Sequence, residues 1–328
     1  MSNSAVKGGL ATVIVLVVAI VLGLAVGEAV IRVKNADMRN YDIEMWRYSN
    51  ELKVRSEDPQ LSHIHRKNAS AVLQSVTIRT DEWGLRGAPV AELPPGGRRI
   101  LFLGASITLG WGVAEEDTVT QVLQRRLSDS GEKAQVLNAG IGNYNAPRYA
   151  RLFLTQLKDL QPTDIVVHYF LRDAESLDAG GGDWLLRNSE LAMTMWIAWT
   201  RVQARFGESD IDTHYRSVYR PDTPGYRDME RALGEIAAYS RQRGIRVYLA
   251  IVPDVHNLEN YKLGDLHRQV AALAEGLGYK VVDLLPAFGK LQPREVWAMP
   301  GDPHPNALGH KIMADALFPL LHADAAAK

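Results

Sequence analysis

The sequence predicts an α/β protein with a three-layer, doubly wound parallel sheet. Short apolar segments that suit strands buried on both faces alternate with longer segments of helical periodicity. Polar or small residues come directly after the ends of several of these strands, the edge at which open parallel sheets bind ligands. A separate apolar segment near the N-terminus predicts a single transmembrane helix ahead of this fold.

The N-terminal segment carries no charged residue between Gly8 and Gly27 and is almost wholly apolar. About 20 such residues span the hydrocarbon core of a bilayer, so we expect residues 8–27 to cross the cell membrane and residues 1–34 to form an anchor. A cleaved signal peptide is the alternative. The flanking basic residues alone would place the body in the cytoplasm. A lone N-terminal span with a short head usually exports the rest of the chain, so we expect the body in the periplasm or extracellular space.

Composition excludes several classes of function. The 328 residues carry a net charge of −1, which gives no support for nucleic acid as a partner. The chain contains no cysteine, so disulfides, thiolate metal sites and a cysteine nucleophile are excluded.

Residues 35–97 are predicted to be a connector and an edge strand. The region 35–75 is polar and without a clear period, whereas residues 76–80 alternate like an edge strand. His63 and His65 form an H-x-H pair, but no cluster of Asp, Glu or His nearby completes a metal site, so no metal or other cofactor is expected. A cluster of proline and glycine at 94–97 precedes the main domain, predicted at 98–322.

The main domain alternates strands and helices. The predicted strands are 100–103, 134–138, 164–170, 246–252 and 280–284, and the predicted helices are about 118–128, 146–160, 226–243, 263–277 and 307–321. Strand ends place Ser106, the loop 140–145, Arg172-Asp173 and Pro253-Asp254 at one edge of the sheet.

An insertion at about 174–222 breaks this alternation. It begins with three glycines at 180–182 and continues into a predicted apolar helix that carries Leu191, Met193, Met195, Trp196, Trp199 and Phe206. One interpretation is a helix packed on the domain. The other is a lid, a surface for a membrane protein partner, or a membrane-contacting flap, with the three glycines as its hinge.

Ser106 comes after the first strand of the main domain at a turn of small residues, Gly104-Ala105-Ser106. A serine at such a tight strand-to-helix turn is held by its backbone and faces solvent, where a substrate can reach it. The alternative is an ordinary strand-loop-helix connection in which the serine caps a helix.

Asp302 and His304 both precede a proline, near the C-terminus. Proline biases the preceding residue towards extended backbone, and residues i and i+2 of an extended segment point to the same side. The Asp302 carboxylate can therefore reach one imidazole nitrogen and leave the other free to act as a general base. With Ser106 these residues supply the nucleophile, the base and the group that orients the base.

The predicted oxyanion donors are backbone and side-chain groups at the same edge. They are the Ser106 N–H, an N–H of the loop that contains Gly142 and Asn143, and the side chain of Arg172 at the end of the third strand. Small residues in that loop allow the main chain to approach a ligand.

This constellation resembles the SGNH (GDSL-type) hydrolase family. Gly104-Ala105-Ser106, the segment 138–144 and Asp302-x-His304-Pro305-Asn306 match its blocks in order, and the resemblance covers about 98–321. Residues 80–87 also resemble the lead-in of membrane-anchored members linked to bacterial surface polysaccharides. The resemblance implies a flavodoxin-like fold, an acyl-enzyme mechanism without cofactor, and an acylated glycan as substrate, with acetyl as the expected acyl group.

Four positions depart from the family pattern. Ala105 replaces the usual Asp, and Asn143 stands where the second block has glycine. Arg172 replaces the Asn that donates to the oxyanion, and Asp302 lies two residues before the histidine instead of three.

The sequence therefore predicts an O-acyl ester hydrolase or an acyltransferase, which share this chemistry. A catalytically weak glycan-binding or assembly module of a membrane polysaccharide system is the alternative, and Arg172 favours it. The first strand lacks G-x-G-x-x-G, which argues against nucleotide binding. It also lacks the second glycine of the G-x-S-x-G elbow, which argues against the α/β-hydrolase fold.

Overall fold

The computed structural model describes residues 3–177, 184–204, 211–289, 291–300 and 302–326. The chain forms two compact units. The first contains residues 1–47 and 181–208, and the second contains residues 48–180 and 209–328. The predicted glycine hinge at 180–182 and Phe206 lie outside the described residues.

The elements are numbered along the chain. The helices are α1 (Asn3–Asn35), α2 (Tyr41–Glu51), α3 (Ser106–Leu109), α4 (Val119–Asp129), α5 (Ala146–Thr155), α6 (Trp184–Asn188), α7 (Glu190–Ala204), α8 (Ile211–Val218), α9 (Pro224–Arg243), α10 (Gly264–Leu277), α11 (Leu285–Phe288), α12 (Pro293–Val296) and α13 (Ala307–Ala326). The strands are β1 (Lys53–Arg55), β2 (His63–His65), β3 (Ser70–Leu73), β4 (Val76–Arg79), β5 (Arg98–Gly104), β6 (Ala134–Gly140), β7 (Asp164–Phe170), β8 (Arg246–Val252), β9 (Lys280–Asp283), β10 (Trp297–Met299) and β11 (Asp302–Pro305).

A five-stranded parallel sheet lies at the centre of the second unit. Its strand order is β6-β5-β7-β8-β9, the flavodoxin-like arrangement, and each neighbouring pair is parallel. The strands predicted at 164–170 and 246–252 have the predicted bounds. The other predicted strands differ from the observed ones by one or two residues at one or both ends. The predicted fold class is confirmed.

Alternate residues of the buried strands enter two separate cores. Leu101 and Leu103 of β5 join one hydrophobic cluster with residues of α5, α9 and α10. Ile100 and Phe102 of the same strand join the other cluster with residues of α4 and α13. Because successive side chains of a strand point to opposite faces, this division produces the three layers of the predicted fold.

Residues 35–97 contain more regular structure than the predicted connector. The region contains α2 and two antiparallel pairs of strands, β1 with β2 and β3 with β4. The strand predicted at 76–80 exists as β4, but it belongs to a hairpin rather than to the edge of the central sheet. The hairpin turn places Gln74 and Ser75 at φ angles of 47° and 62°. Glycine and asparagine normally mark such turns, so the Gln-Ser pair gave no turn signal.

The first unit contains α1, α6 and α7. Within α1, residues Gly9–Asn35 form a 27-residue candidate membrane span, and its most apolar 18-residue stretch has a mean hydropathy of 3.0. Glu28 near the end of this span accepts hydrogen bonds from Ser189 Oγ (2.8 Å) and from the N–H groups of Glu190 (3.1 Å) and Leu191 (3.0 Å). A carboxylate thus caps the N-terminus of α7, where the N–H groups of the first turn have no partner within the helix. The predicted apolar helix of the insertion is confirmed as α7.

Candidate active site

Ser106 begins α3 immediately beyond the carboxyl end of β5. The close approach of α3 to the sheet requires glycine at the ends of two paired strands, Gly104 and Gly140. A Cβ atom at Gly104 would lie 2.0 Å from Thr108 Oγ1, and one at Gly140 would lie 2.1 Å from Leu109 N. The two glycines therefore allow the serine turn to rest directly on the strand ends.

Two side chains hold this turn through backbone carbonyls of α3 and of the residues that come after it. Asn138 Nδ2 donates to Thr108 O at 2.7 Å. The buried guanidinium of Arg86 donates to Leu109 O, Gly110 O and Val113 O at 2.6–2.7 Å. Burial lowers the pKa of Arg86 to about 10, so the group stays protonated at neutral pH. These hydrogen bonds fix the backbone that carries Ser106.

His304 and Asp302 lie on β11, which pairs antiparallel with β10. His304 Nδ1 lies 2.5 Å from Asp302 Oδ1, and His304 Nε2 lies 2.8 Å from Ser106 Oγ. A neutral imidazole that donates from Nδ1 to the carboxylate accepts the serine hydroxyl proton at Nε2. The extended backbone brings the two side chains to one side, as the pre-proline positions predict, and the three residues form one hydrogen-bonded chain.

Asp302 is held ionised by its surroundings. Burial opposes ionisation, but hydrogen bonding and the charge of His304, together with a hydrogen bond from Gln74, leave the pKa of Asp302 below its usual value. Gln74 Nε2 donates to Asp302 Oδ2 at 2.8 Å. Sequence reasoning missed Gln74, which reaches the site from the turn of the β3–β4 hairpin.

The predicted oxyanion donors differ in their surroundings. Asn143 has a φ of 64°, the left-handed conformation that asparagine tolerates. Among the described residues, the N–H groups of Ser106 and Asn143 make no hydrogen bond. Gly142 N–H already donates to Tyr48 Oη at 2.9 Å. The Ser106 and Asn143 N–H groups are therefore the ones available to a ligand.

Arg172 lies in the 3₁₀ turn Leu171–Ala174 that comes after β7. Its half-exposed guanidinium donates from Nε to Glu175 Oε2 at 3.2 Å. The neighbouring Asp173 is buried and accepts a hydrogen bond from Phe170 N–H at 3.1 Å. Burial raises the pKa of Asp173 to about 8. A role for Arg172 as an oxyanion donor stays a prediction.

A second Asp-x-His pair lies just beyond β8. His256 Nδ1 lies 2.5 Å from Asp254 Oδ1, and His256 N–H donates to the same oxygen at 2.9 Å. Asp302 and His304 have the same arrangement. The ring of His256 also lies 6.2 Å from that of Trp297 on β10. Sequence reasoning placed Asp254 at the sheet edge but missed His256.

The two histidines of the H-x-H pair support the loop that contains Gly142, His63 directly and His65 through Tyr48. His63 Nε2 lies 3.0 Å from Gly142 O, and His65 Nε2 lies 2.6 Å from Tyr48 Oη. In the described part of the chain, no group of three or more His, Cys, Asp or Glu residues is placed to hold a metal ion.

Residues 102–312 match the model of the GDSL-like Lipase/Acylhydrolase family. No curated protein matches the sequence at a significant level.

Several solved structures are similar to the chain. TesA shares 18% identity and a TM-score of 0.46, over 69% of this chain and 99% of its own. The acetyl xylan esterase AlAXEase shares 18% identity and a TM-score of 0.44, over 68% of this chain and 99% of its own. A variant of the acetylxylan esterase Axe2 from Geobacillus stearothermophilus shares 16% identity and a TM-score of 0.46, over 68% of this chain and 93% of its own.

Proposed function

Because the chain belongs to the GDSL-like lipase/acylhydrolase family and is an ester-hydrolysing enzyme, we propose that it cleaves its ester through Ser106, His304 and Asp302. The observation that carries this proposal is the continuous hydrogen-bonded chain from the serine hydroxyl through the imidazole to a buried carboxylate. This arrangement is what a seryl nucleophile requires.

The reaction proceeds in two halves. Ser106 Oγ attacks the ester carbonyl carbon while His304 Nε2 takes the hydroxyl proton. The carbon–oxygen bond to the alcohol then breaks, and His304 returns the proton to the departing alcohol. Water then attacks the acyl carbon while His304 takes its proton, the bond from that carbon to Ser106 Oγ breaks, and His304 returns the proton to the serine. A sugar hydroxyl in place of water converts hydrolysis into acyl transfer.

The negative charge that develops on the carbonyl oxygen needs hydrogen-bond donors. The N–H groups of Ser106 and Asn143 are the donors that we assign to it. Preorganised backbone donors of this kind are each worth about 3 kcal/mol of transition-state stabilisation. Arg172 stands at the third position and would add charge stabilisation there.

The substrate that we propose is an acetyl or other acyl ester on a polysaccharide outside the cytoplasm. Its support is the resemblance of residues 80–87 to membrane-anchored, polysaccharide-linked members of the family. Arg86 of this segment, with its three hydrogen bonds to the backbone beside Ser106, gives the lead-in a structural role.

Covalent labelling tests the nucleophile. Incubation of the full chain with a fluorophosphonate probe is expected to give one adduct, located on Ser106 by peptide mass spectrometry. Ser106→Ala is the matched control and is expected to remain unlabelled and to lose turnover of p-nitrophenyl acetate. Labelling at another residue, or none on a folded chain that binds acylated glycan, would contradict the assignment. The latter result would favour the glycan-binding module, for which Arg172 in place of asparagine is the supporting observation.

We also propose that α1 crosses the cell membrane through residues 8–27 and that α7 lies at its surface. The ten residues 191–200 of α7 carry no charge, but they are too few to cross a bilayer. Met195, Trp196, Trp199 and Val202 are exposed and share one helical face. The cap from Glu28 ties this helix to the end of the span, the level at which tryptophan side chains partition into lipid headgroups.

Quenching by lipid tests this surface. In vesicles whose acyl chains carry bromine, we expect the tryptophan fluorescence of the full chain to be quenched because Trp196 and Trp199 contact lipid. Most of that quenching is expected to disappear in the double variant Trp196→Phe/Trp199→Phe, which keeps the face apolar. Trp111→Phe, at a buried position, is the control and is expected to change it little. Equal quenching in the double variant and the parent would contradict the proposal and favour a protein partner on this face.

A further inference from the structure

We propose that Lys53 and His63 are positioning residues that hold and polarise the peptide group between Gly142 and Asn143, so that its N–H serves as an oxyanion donor. The inference rests on the function proposed above and concerns the same site. Both residues lie ahead of residues 102–312, which match the family. The oxyanion site would therefore be completed by a part of the chain outside the family domain.

The carbonyl oxygen of this peptide group accepts from two side chains. Lys53 Nζ donates to Gly142 O at 2.8 Å, and His63 Nε2 lies 3.0 Å from the same oxygen. Because a carbonyl oxygen only accepts, His63 carries its proton on Nε2. The carbonyl of Gly142 and the N–H of Asn143 belong to one resonance-coupled peptide unit. Donors on the oxygen therefore strengthen the N–H as a donor, as in other hydrogen-bond chains.

The N–H side of Gly142 is fixed by a directed chain of hydrogen bonds. His65 Nδ1 lies 2.9 Å from Gly84 O, so this nitrogen donates and His65 Nε2 accepts from Tyr48 Oη at 2.6 Å. The tyrosine oxygen in turn accepts from Gly142 N–H. A Cβ atom at Gly142 would lie 2.6 Å from the ring of Tyr48, so glycine is required here. With both polar groups of Gly142 bound, the next N–H, that of Asn143, is left for a ligand.

Lys53 is placed where its charge costs stability. It is buried, its Nζ lies 4.3 Å from the centre of the Tyr48 ring, and burial together with the charge of Arg148 lowers its pKa to about 7. The titratable groups around it are Tyr48, His63, His65 and Arg148. Burial lowers the pKa of His63 to about 3 and that of His65 to about 4, so both stay neutral where Lys53 titrates. Burial of a charged amine whose partners are a carbonyl oxygen and a ring face lowers the free energy of unfolding. Lys53 therefore fits a role in the site rather than in folding.

The test compares Lys53→Met with the full-length parent in hydrolysis of p-nitrophenyl acetate. Methionine fills similar space without the charge. We expect kcat to fall about tenfold, less than the loss of a whole oxyanion donor, with KM within about twofold. The thermal midpoint should not fall, because a buried charge is removed. Since the ammonium form polarises most strongly, the ratio of parent to variant kcat should decrease as pH rises through about 7.

The controls separate this role from a structural one. Lys67→Met removes an exposed lysine two residues after β2 and should leave kcat unchanged. His63→Gln keeps a donor and should retain most of the kcat that His63→Leu loses. The inference would be overturned if Lys53→Met kept the parental kcat. It would also be overturned if this variant had a higher KM or a lower thermal midpoint while the ratio of parent to variant kcat did not change with pH. Turnover that survives in Ser106→Ala would instead show that the proposed function is wrong, and the inference with it.

Discussion

Replacement of Asp302 by asparagine is expected to lower kcat by about 10⁴-fold, the size of effect found when the orienting carboxylate of a serine triad becomes an amide. The carboxylate accepts from His304 Nδ1 at 2.5 Å and from Gln74 Nε2 at 2.8 Å. An asparagine that keeps the bond from Gln74 presents its NH₂ group to the imidazole. His304 Nδ1 then has to accept, Nε2 carries the proton, and the base cannot take the proton of Ser106.

Steady-state hydrolysis of p-nitrophenyl acetate measures this effect. Asp283→Asn is the matched control, because Asp283 Oδ1 lies 2.9 Å from His267 Nδ1 in another histidine–aspartate pair. His267 Nε2 lies 2.6 Å from Tyr261 Oη rather than from a serine. We expect the control to keep kcat within about threefold. An Asp302→Asn variant with more than about a tenth of the parental kcat would exclude a triad of this kind.

Replacement of Asp164 by alanine is expected to cost roughly 3–5 kcal/mol of unfolding free energy, because it leaves two arginines without their shared carboxylate. Asp164, at the start of β7, is fully buried and accepts from Arg98 Nη2 at 3.0 Å and from Arg246 Nη2 at 3.0 Å. Thr163 Oγ1 and Tyr248 Oη also donate to it, at 2.6 Å and 3.3 Å. The carboxylate therefore compensates the positive charge of both arginines at the end of the sheet opposite Ser106.

Urea unfolding of the full chain, monitored by circular dichroism, measures the loss. Asp228→Ala is the control, since Asp228 forms an exposed ion pair with Arg231 at 2.7 Å. Exposed pairs contribute about 0–1 kcal/mol, so this variant should unfold close to the parent. Similar midpoints for both variants would show that the buried carboxylate does not carry the expected stabilisation.

The central sheet and the Asp302–His304 pair were predictable because local rules determine them. The strands contain apolar segments such as 100–103 and 247–252, as burial on both faces requires, and two prolines impose extended backbone on the pair. Each prediction depended on residues adjacent in sequence. The structure adds that Ser106 Oγ lies 2.8 Å from the imidazole, which no local pattern can provide.

The supporting residues were not predictable, because they reach the site from distant segments. Gln74 arrives on a hairpin turn whose Gln-Ser sequence carries no turn signal. Lys53 and Tyr48 come from a region that lacks a clear hydrophobic period. The binding of Gly142 N–H by Tyr48 was also invisible in sequence, so the choice between Gly142 and Asn143 as donor needed the three-dimensional structure.

The 198-residue separation between Ser106 and His304 has a consequence for biosynthesis. Translation delivers the serine long before the histidine, and the base comes from the last strand before the terminal helix. A chain still on the ribosome, before His304 has been added, therefore has an unactivated hydroxyl at Ser106. The hydroxyl is therefore activated only after the C-terminal segment has placed His304 Nε2 within 2.8 Å of it.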